Sequence, residues 1–365
     1  MKKIFICGYY GFDNLGDEAI LRSLIEGIRR QAPEAELTVL SATRHQTEEE
    51  YGVKAISRND YRALIHAMKT QDVIVFGGGS LLQDVTSSRS ILYYLGLMFL
   101  AKMHGKPLMM VAQGIGPIRK PVFRKMTHWI FRTAKHISVR DHISLEELAK
   151  MGIDRNRIVL TTDPVWGFDT IPATEELGIN QEGIEQPLTK GTDKSIVLSL
   201  RPWGNYEEME KKWVELVNRL QGDLQARVEL LSFHKAQDAP LAKKIAEETG
   251  CAWMAHTPSV ETVLERIGAA DLLIGVRLHS LIFSAIVATP MIGLSYDPKV
   301  DAFIESMNGG PVYAVENFSV DKVVELARQR MDDQVFHQNL KKQSEKLCAQ
   351  AKADQKMIIQ ELLHE

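Results

Sequence analysis

The chain is short of most features that mark specialised classes of protein. Only three of its 365 residues are cysteine, Cys7, Cys251 and Cys348. An odd count at wide spacing argues against a disulfide framework or a zinc site and fits reduced thiols in a cytoplasm. An excess of one charge is also missing. Forty-four Lys and Arg stand against 47 Asp and Glu, a net charge of −3, so no nucleic-acid partner is expected. The longest apolar run, "ILYYLGLMFLA" from Ile91 to Ala101, is too short to span a bilayer and reads as a core helix. The opening "MKKIFICGYYGFDNLGDE" meets Asp13 too early for a signal peptide and reads as a first strand. The dinucleotide fingerprint, the Walker loop and the serine-hydrolase elbow are absent, as is any Asp/His cluster with metal spacing. Neither a metal nor a resident cofactor is expected.

What remains is the composition of a globular protein, 45% hydrophobic and 25% charged, long enough for two domains. Short apolar runs alternate with amphipathic stretches. "KIFICGY", "ELTVLSA", "DVIVFGGG", "PLMMVAQGIG" and "HISVRD" read as buried strands of a first sheet. After "TTDPVWGF" a polar segment interrupts the pattern and reads as a linker. Alternation restarts with "SIVLSLRPWGN" and runs through "RVELLSF", "CAWMAH", "DLLIGVRLH", "PMIGLSYDP" and "PVYAV". Strands alternating with helices imply parallel α/β sheets. The expected organisation is a Rossmann-like domain over 1–170, a linker over 171–194 and a second Rossmann-like domain over 195–316. C-terminal helices over 317–365 would pack back on the first domain, and the two domains would face a cleft.

Ligands of open parallel sheets bind beyond the C-terminal strand ends, so those positions are the candidates. After the first strand, "GYYGFDNLGDEAIL" places Asp17 and Glu18 in the first turn of a helix, where acidic side chains also serve as ordinary caps. "FGGGSLLQD" offers the amides of Gly78 and Gly79, with Asp84 nearby. "AQGIGPIRKP" brings Arg119. In the second half, "SLRPWGN" ends a strand on Arg201, "GVRLHS" sets Arg277, His279 and Ser280 at a strand-to-helix junction, and "SYDPKV" adds Lys299. Two arginines, a lysine, a histidine and a helix N-terminus at one sheet edge suit a small anion with carboxylate or phosphate groups.

Taken together and in order, "GYYGFDNLGDEAIL", "VIVFGGGSLLQD", "AQGIGP", "VRLHSLIFSA" and "SYDPKV" resemble the polysaccharide pyruvyl transferase family, in particular the branch that pyruvylates a precursor of the secondary cell-wall polymer anchoring bacterial surface layers. The resemblance covers most of the chain. It implies the two-domain glycosyltransferase B fold, with phosphoenolpyruvate as donor substrate and no further cofactor. The acceptor it implies is N-acetylmannosamine in a disaccharide on undecaprenyl diphosphate, and the product a cyclic pyruvate ketal. Under that resemblance Arg119, Arg201, Arg277, Ser280 and Lys299 hold the donor, and His279 is the proton donor, assisted by Arg277 and Lys299. Asp17, Glu18 and Asp84, with Gly78 and Gly79, belong to the acceptor side.

A lipid-carried acceptor would bring a cytoplasmic enzyme to the inner membrane face as a peripheral protein. The segment Pro121 to His136 mixes Phe123, Trp129, Ile130 and Phe131 with Arg124, Lys125, Arg132 and Lys135. It suits either an interfacial helix or a helix docked on the sheet with a solvated basic face. Two other functions remain open from sequence: a nucleotide-sugar-dependent glycosyltransferase of the same fold, and a non-catalytic anion-binding protein.

Overall fold

A computed structural model describes residues 1–85, 87–168, 194–254 and 259–363. All but Lys194 of the expected linker lies outside the described residues. The chain forms two compact units, Met1–Phe168 with Leu347–Glu365, and Asp169–Lys346.

The first unit is built on strands β1 (Lys3–Tyr10), β2 (Glu36–Ser41), β3 (Lys54–Ser57), β4 (Val73–Gly77), β5 (Leu108–Gln113), β6 (His136–Val139) and β7 (Val159–Leu160). All pair in parallel, in the order β3-β2-β1-β4-β5-β6-β7. Every residue of β4 and β5 is buried, as expected for strands covered on both faces. The helices are α1 (Leu15–Gln31), α2 (Arg44–Tyr51), α3 (Tyr61–Thr70), α4 (Ser88–Met103), α5 (Pro121–Phe131) and α6 (His142–Lys150). Helices α3, α4 and α5 lay Leu64, Tyr94, Leu95, Met98 and Phe131 onto Phe5, Ile74, Phe76 and Met110 of the sheet, forming one apolar core.

The second unit repeats the plan with β8 (Ser195–Ser199), β9 (Arg227–Leu231), β10 (Ala252–Trp253), β11 (Leu272–Gly275), β12 (Met291–Ser295) and β13 (Tyr313–Ala314). Its order is β10-β9-β8-β11-β12-β13, again all parallel. Its helices are α7 (Tyr206–Asp223), α8 (Lys235–Thr249), α9 (Val260–Ala269), α10 (Leu278–Ile286), α11 (Pro298–Ser306) and α12 (Val320–Asp332). Trp213 of α7 is fully buried against Phe318 in the centre of a second core. Both sheets carry the strand order of a doubly wound α/β fold, whose ligands bind where the order reverses. That point lies between β1 and β4 in the first unit and between β8 and β11 in the second.

The last helix, α13 (Gln334–Leu363), contributes its final turns to the first unit. There Gln355 Nε2 donates to Ser23 Oγ (2.7 Å), Arg30 Nη2 donates to Gln355 Oε1 (3.1 Å), and His136 meets Glu361 (2.8 Å). Ile358, Ile359 and Leu362 are buried. A Cβ on Gly27 of α1 would stand 3.3 Å from Ile359, so α1 carries a glycine where this helix crosses closely. Ile359→Ala should destabilise the first unit by about 2–5 kcal/mol, the usual range for truncating a buried isoleucine. Thermal denaturation of the variant checks this.

Candidate functional site

At the reversal point of the second sheet, two arginines follow adjacent strands. Arg201 follows β8 and Arg277 follows β11; Tyr296 follows β12, the next strand in the sheet. The Arg201 guanidinium lies 4.1 Å from the centre of the Tyr296 ring and 5.3 Å from that of Trp203. Trp203 is anchored by donating from Nε1 to Glu316 (2.8 Å). Burial lowers the pKa of Arg201, and the Arg277 charge pulls in the same direction. Among the described residues Arg201 has aromatic neighbours and no carboxylate ion pair, and the more distant charges of Asp238 and Asp297 only partly oppose the effect of its burial.

Arg277 is in a different state. Its Nη2 donates to Asp238 Oδ1 (2.6 Å) and Gln237 Oε1 (2.9 Å), and its Nε to Asp238 Oδ2 (3.2 Å). Asp238, in the first turn of α8, is wholly buried and also accepts the His234 amide (2.9 Å). The sequence reading treated Arg277 as a cation for the ligand's anion. Its charge is instead neutralised within the protein, leaving the Nη1 edge for a ligand. Ser280 closes the same turn: its buried hydroxyl donates to the Arg277 carbonyl (2.6 Å). A Cβ at Gly275 would come within 2.5 Å of that hydroxyl. His279 is the second residue of α10, half-buried, and Lys299 the second of α11, where its amide is capped by Asp297 (2.9 Å). Arg201, Arg277, His279 and Lys299 thus follow three neighbouring strands at one edge of one unit. Arg119 belongs to the other unit and is exposed.

In the first unit the turns after β1 and β4 press together. Gly78 and Gly79 adopt φ of 56° and 69°; a Cβ on Gly79 would lie 2.9 Å from Asp17 Oδ1, and one on Gly78 2.4 Å from Ile20. Gln113 fixes this turn, donating from Nε2 to the carbonyls of Phe76 (2.9 Å) and Gly78 (3.0 Å). Asp17 accepts from Asn14. Glu18 reaches back to accept the Gly11 amide (2.7 Å). Burial pushes the Glu18 carboxyl up to about 8; the Gly11 hydrogen bond opposes this, and the charges of Asp17 and Glu50 reinforce it. A carboxyl that exchanges its proton near neutrality suits acid–base work. Asp84 does not. Its two oxygens accept the amides of Arg119 and Lys120 (2.8 Å each). Burial alone would raise its pKa, but these bonds and the two cations outweigh it and hold the group below the usual range. A carboxylate committed to a turn is a poor base, and Asp84 is better described as the clamp on that turn.

Two features were not read from sequence. Arg140, after β6, is buried and donates to Asp163 (2.5 Å) and Ser80 Oγ (3.2 Å), which ties the glycine turn to the far half of the sheet. Arg58, after β3, lies 4.9 Å from the Phe12 ring and 4.3 Å from the Tyr93 ring, with Tyr9 stacked on Phe12 at 4.1 Å. Arg140 stood at the end of a strand that was read; Arg58 followed one that was not. Among the described residues no three His, Cys, Asp or Glu side chains gather to hold a metal ion.

This geometry is that of a protein built from two doubly wound α/β units. The chain is a member of the polysaccharide pyruvyl transferase family, whose model matches residues 14–298. A relative is the amylovoran biosynthesis protein AmsJ of Erwinia amylovora, 21% identical over 297 residues, which are 72% of this chain and 68% of AmsJ. Similar solved structures include the UDP-GlcNAc 2-epimerase of Neisseria meningitidis bound to UDP-GlcNAc (TM-score 0.66, 12% identity, 100% of each chain). Another is Anabaena Alr3699/HepE in complex with UDP-glucose (TM-score 0.64, 12% identity, 100% of this chain and 99% of that one). Together they set the fold as two Rossmann-like units of the glycosyltransferase B class.

Two outcomes follow. Arg277→Ala leaves the Asp238 carboxylate buried without its cation, so the variant should lose about 3–5 kcal/mol of stability, seen in denaturant unfolding. For Glu18, the ordinary value is 4.5 and the folded value about 8, so the folded chain holds this proton more tightly. Its contribution is present in full below about pH 4.5 and lost as pH rises through 8. The melting temperature of the wild type should fall over that window, and Glu18→Gln, which mimics the protonated form, should flatten the fall.

Proposed function

We propose that the protein transfers the enolpyruvyl group of phosphoenolpyruvate to a sugar of a polysaccharide precursor and closes it to a cyclic pyruvate ketal. The observation that carries this reading is the placement of Arg201, Arg277 and His279 at the reversal point of the second sheet. Family membership supports the transfer to a sugar.

Arg201 and the free Nη1 edge of Arg277 take the carboxylate and phosphate, assisted by Lys299 and the first amides of α10. His279 delivers a proton to the methylene carbon of the donor, which becomes a methyl group. A sugar hydroxyl adds to the adjacent carbon and loses its proton. The C–O bond to phosphate breaks, and a neighbouring hydroxyl adds to the resulting oxocarbenium ion. The protons of the two hydroxyls balance the one given to carbon and the one leaving with phosphate. The chemistry uses no separate cofactor. Glu18, with Asp17 beside it, is assigned to the acceptor as the group that removes a hydroxyl proton, and Gly78 and Gly79 leave backbone amides for the sugar. Arg119 is a secondary anion contact. The acceptor is a disaccharide containing N-acetylmannosamine on undecaprenyl diphosphate, a precursor of a secondary cell-wall polymer that anchors a surface layer. The enzyme meets it in the cytoplasm, by peripheral contact with the inner membrane face.

One observation favours a second reading. The similar structures hold UDP-sugars, and the Trp203 and Tyr296 rings beside Arg201 offer a surface on which a base stacks. A nucleotide-sugar-dependent glycosyltransferase would release UDP and leave a glycosidic bond.

The test is phosphate release from phosphoenolpyruvate with and without the lipid-linked acceptor, with mass analysis of the product. Acceptor-dependent phosphate and a ketal on the sugar support the reading; UDP release and a glycoside support the second. His279→Ala should lower turnover by about 10²–10⁴. A variant with near-full turnover removes His279 as the acid. If Glu18 is the base, kcat/KM rises with pH to a plateau with an inflection near 8, and Glu18→Gln loses that limb.

A further inference from the structure

The stretch from Val85 through Arg140 contains no Asp or Glu and ten Lys or Arg, in a chain whose net charge is −3. It includes α4 and α5, which run side by side in the same direction. Lys120, at the start of α5, donates to Ser88, at the start of α4 (2.7 Å). Eleven residues further along α4, Phe99 meets Trp129 of α5 with ring centres 5.7 Å apart.

The outer face of this pair is apolar. On α4 the exposed positions Leu92, Phe99 and Met103 lie at 53%, 44% and 66% exposure, in register along one stripe. Gly96 lies between them with open space around it. On α5, Val122 and Trp129 continue the patch at 57% and 41%. The sequence reading gave α4 to the core and left α5 open between an interfacial helix and a helix docked on the sheet. Both helices dock on the sheet by one face. Phe123, Ile130 and Phe131 face the core at 8%, 1% and 0% exposure, while α4 is apolar on its outer side as well as its inner one. No described helix is long and apolar enough to cross a membrane.

Cations border this patch. Arg89, Lys120, Lys125 and Arg132 are exposed, and Lys102 Nζ stands 3.3 Å from the centre of the Trp129 ring. Burial against this surface lowers the pKa of Lys102, and the Arg132 charge lowers it further, as expected where cations crowd without an intervening carboxylate. Two of the ten cations are neutralised inside the unit, Arg124 by Glu147 and Arg140 by Asp163.

We propose that the α4–α5 face docks on an anionic lipid bilayer, with Leu92, Phe99, Met103, Val122 and Trp129 entering the headgroup boundary and the bordering Lys and Arg meeting lipid phosphates. Apolar side chains rimmed by cations are the pattern of an interfacial surface, where buried area and attraction to anionic lipid add. Trp at such a boundary keeps its ring in the apolar layer and its N–H in water. The absence of carboxylates over 56 residues of sequence, Val85 to Arg140, selects an anionic surface over a neutral one. The proposal deepens the reading that the acceptor is carried on lipid, and rests on it for its purpose though not for its geometry.

The test is co-sedimentation of the full chain with vesicles of phosphatidylcholine alone or with a third phosphatidylglycerol. The wild type should bind the anionic vesicles and release them as salt is raised. Leu92→Glu with Phe99→Glu should weaken binding at least tenfold with an unchanged melting temperature. Lys125→Glu with Arg132→Glu, on exposed positions that do not enter the core, should weaken it selectively for the anionic vesicles. Absence of binding by the wild type, or equal binding by all variants, overturns the proposal. So does a vesicle-free dimer that Leu92→Glu with Phe99→Glu splits, which would give the face to a second copy. Transfer to a water-soluble form of the acceptor is measured in parallel. Transfer without vesicle binding removes the docking face and leaves the chemistry; vesicle binding without transfer does the reverse.

Discussion

The buried carboxylate of Asp238 sets the geometry of the proposed donor site. It sits in the first turn of α8 and receives both Nε and Nη2 of Arg277 while accepting the His234 amide. A bidentate pair of this kind fixes the plane of a guanidinium as well as its position. With Arg277 held, the turn after β11 is held too, because Ser280 closes on the Arg277 carbonyl and α10 begins there with His279 in its first turn. Arg201 has no such carboxylate. It rests on Tyr296 and Trp203, so of the two arginines it is the one without a carboxylate paired directly to it. One cation orients the site and the other supplies charge.

The first unit uses the same device on different residues. Arg140 and Asp163 form a buried pair that reaches Ser80, and Gln113 fastens the glycine turn to β5. The glycine turn so held packs closely against Asp17 and Ile20 of α1. Burial then raises the Glu18 carboxyl towards neutrality, while Asp84, on two amides, goes the other way. Two carboxylates that look alike in sequence thus acquire opposite proton affinities from their surroundings.

Much of this was legible in the sequence. The apolar runs that end in Gly or a charged residue mark most strands, and the C-terminal ends of those strands hold Arg201, Arg277, His279 and Lys299. What was not legible depends on distance or on faces. The strand Lys54–Ser57 buries one residue of four and β7 is two residues long, too little apolar pattern to detect, so Arg58 behind the former went unseen. The Arg277–Asp238 pair joins residues 39 apart, and only the folded sheet brings the start of α8 to the end of β11. Helix α4 is apolar on every side, so periodicity has no direction to report. On α5 the inward positions Phe123, Thr127, Ile130 and Phe131 do follow helical spacing, and that spacing, weighed above aromatic content, identifies the buried face.

The central claim is that the edge of the second sheet takes phosphoenolpyruvate, and its most direct test is calorimetric titration of the purified protein with phosphoenolpyruvate and, separately, with UDP-GlcNAc. The account predicts saturable binding of phosphoenolpyruvate that Arg201→Ala weakens at least tenfold without a change in melting temperature, and no binding of the nucleotide sugar. Tight binding of UDP-GlcNAc, with none of phosphoenolpyruvate, would contradict it.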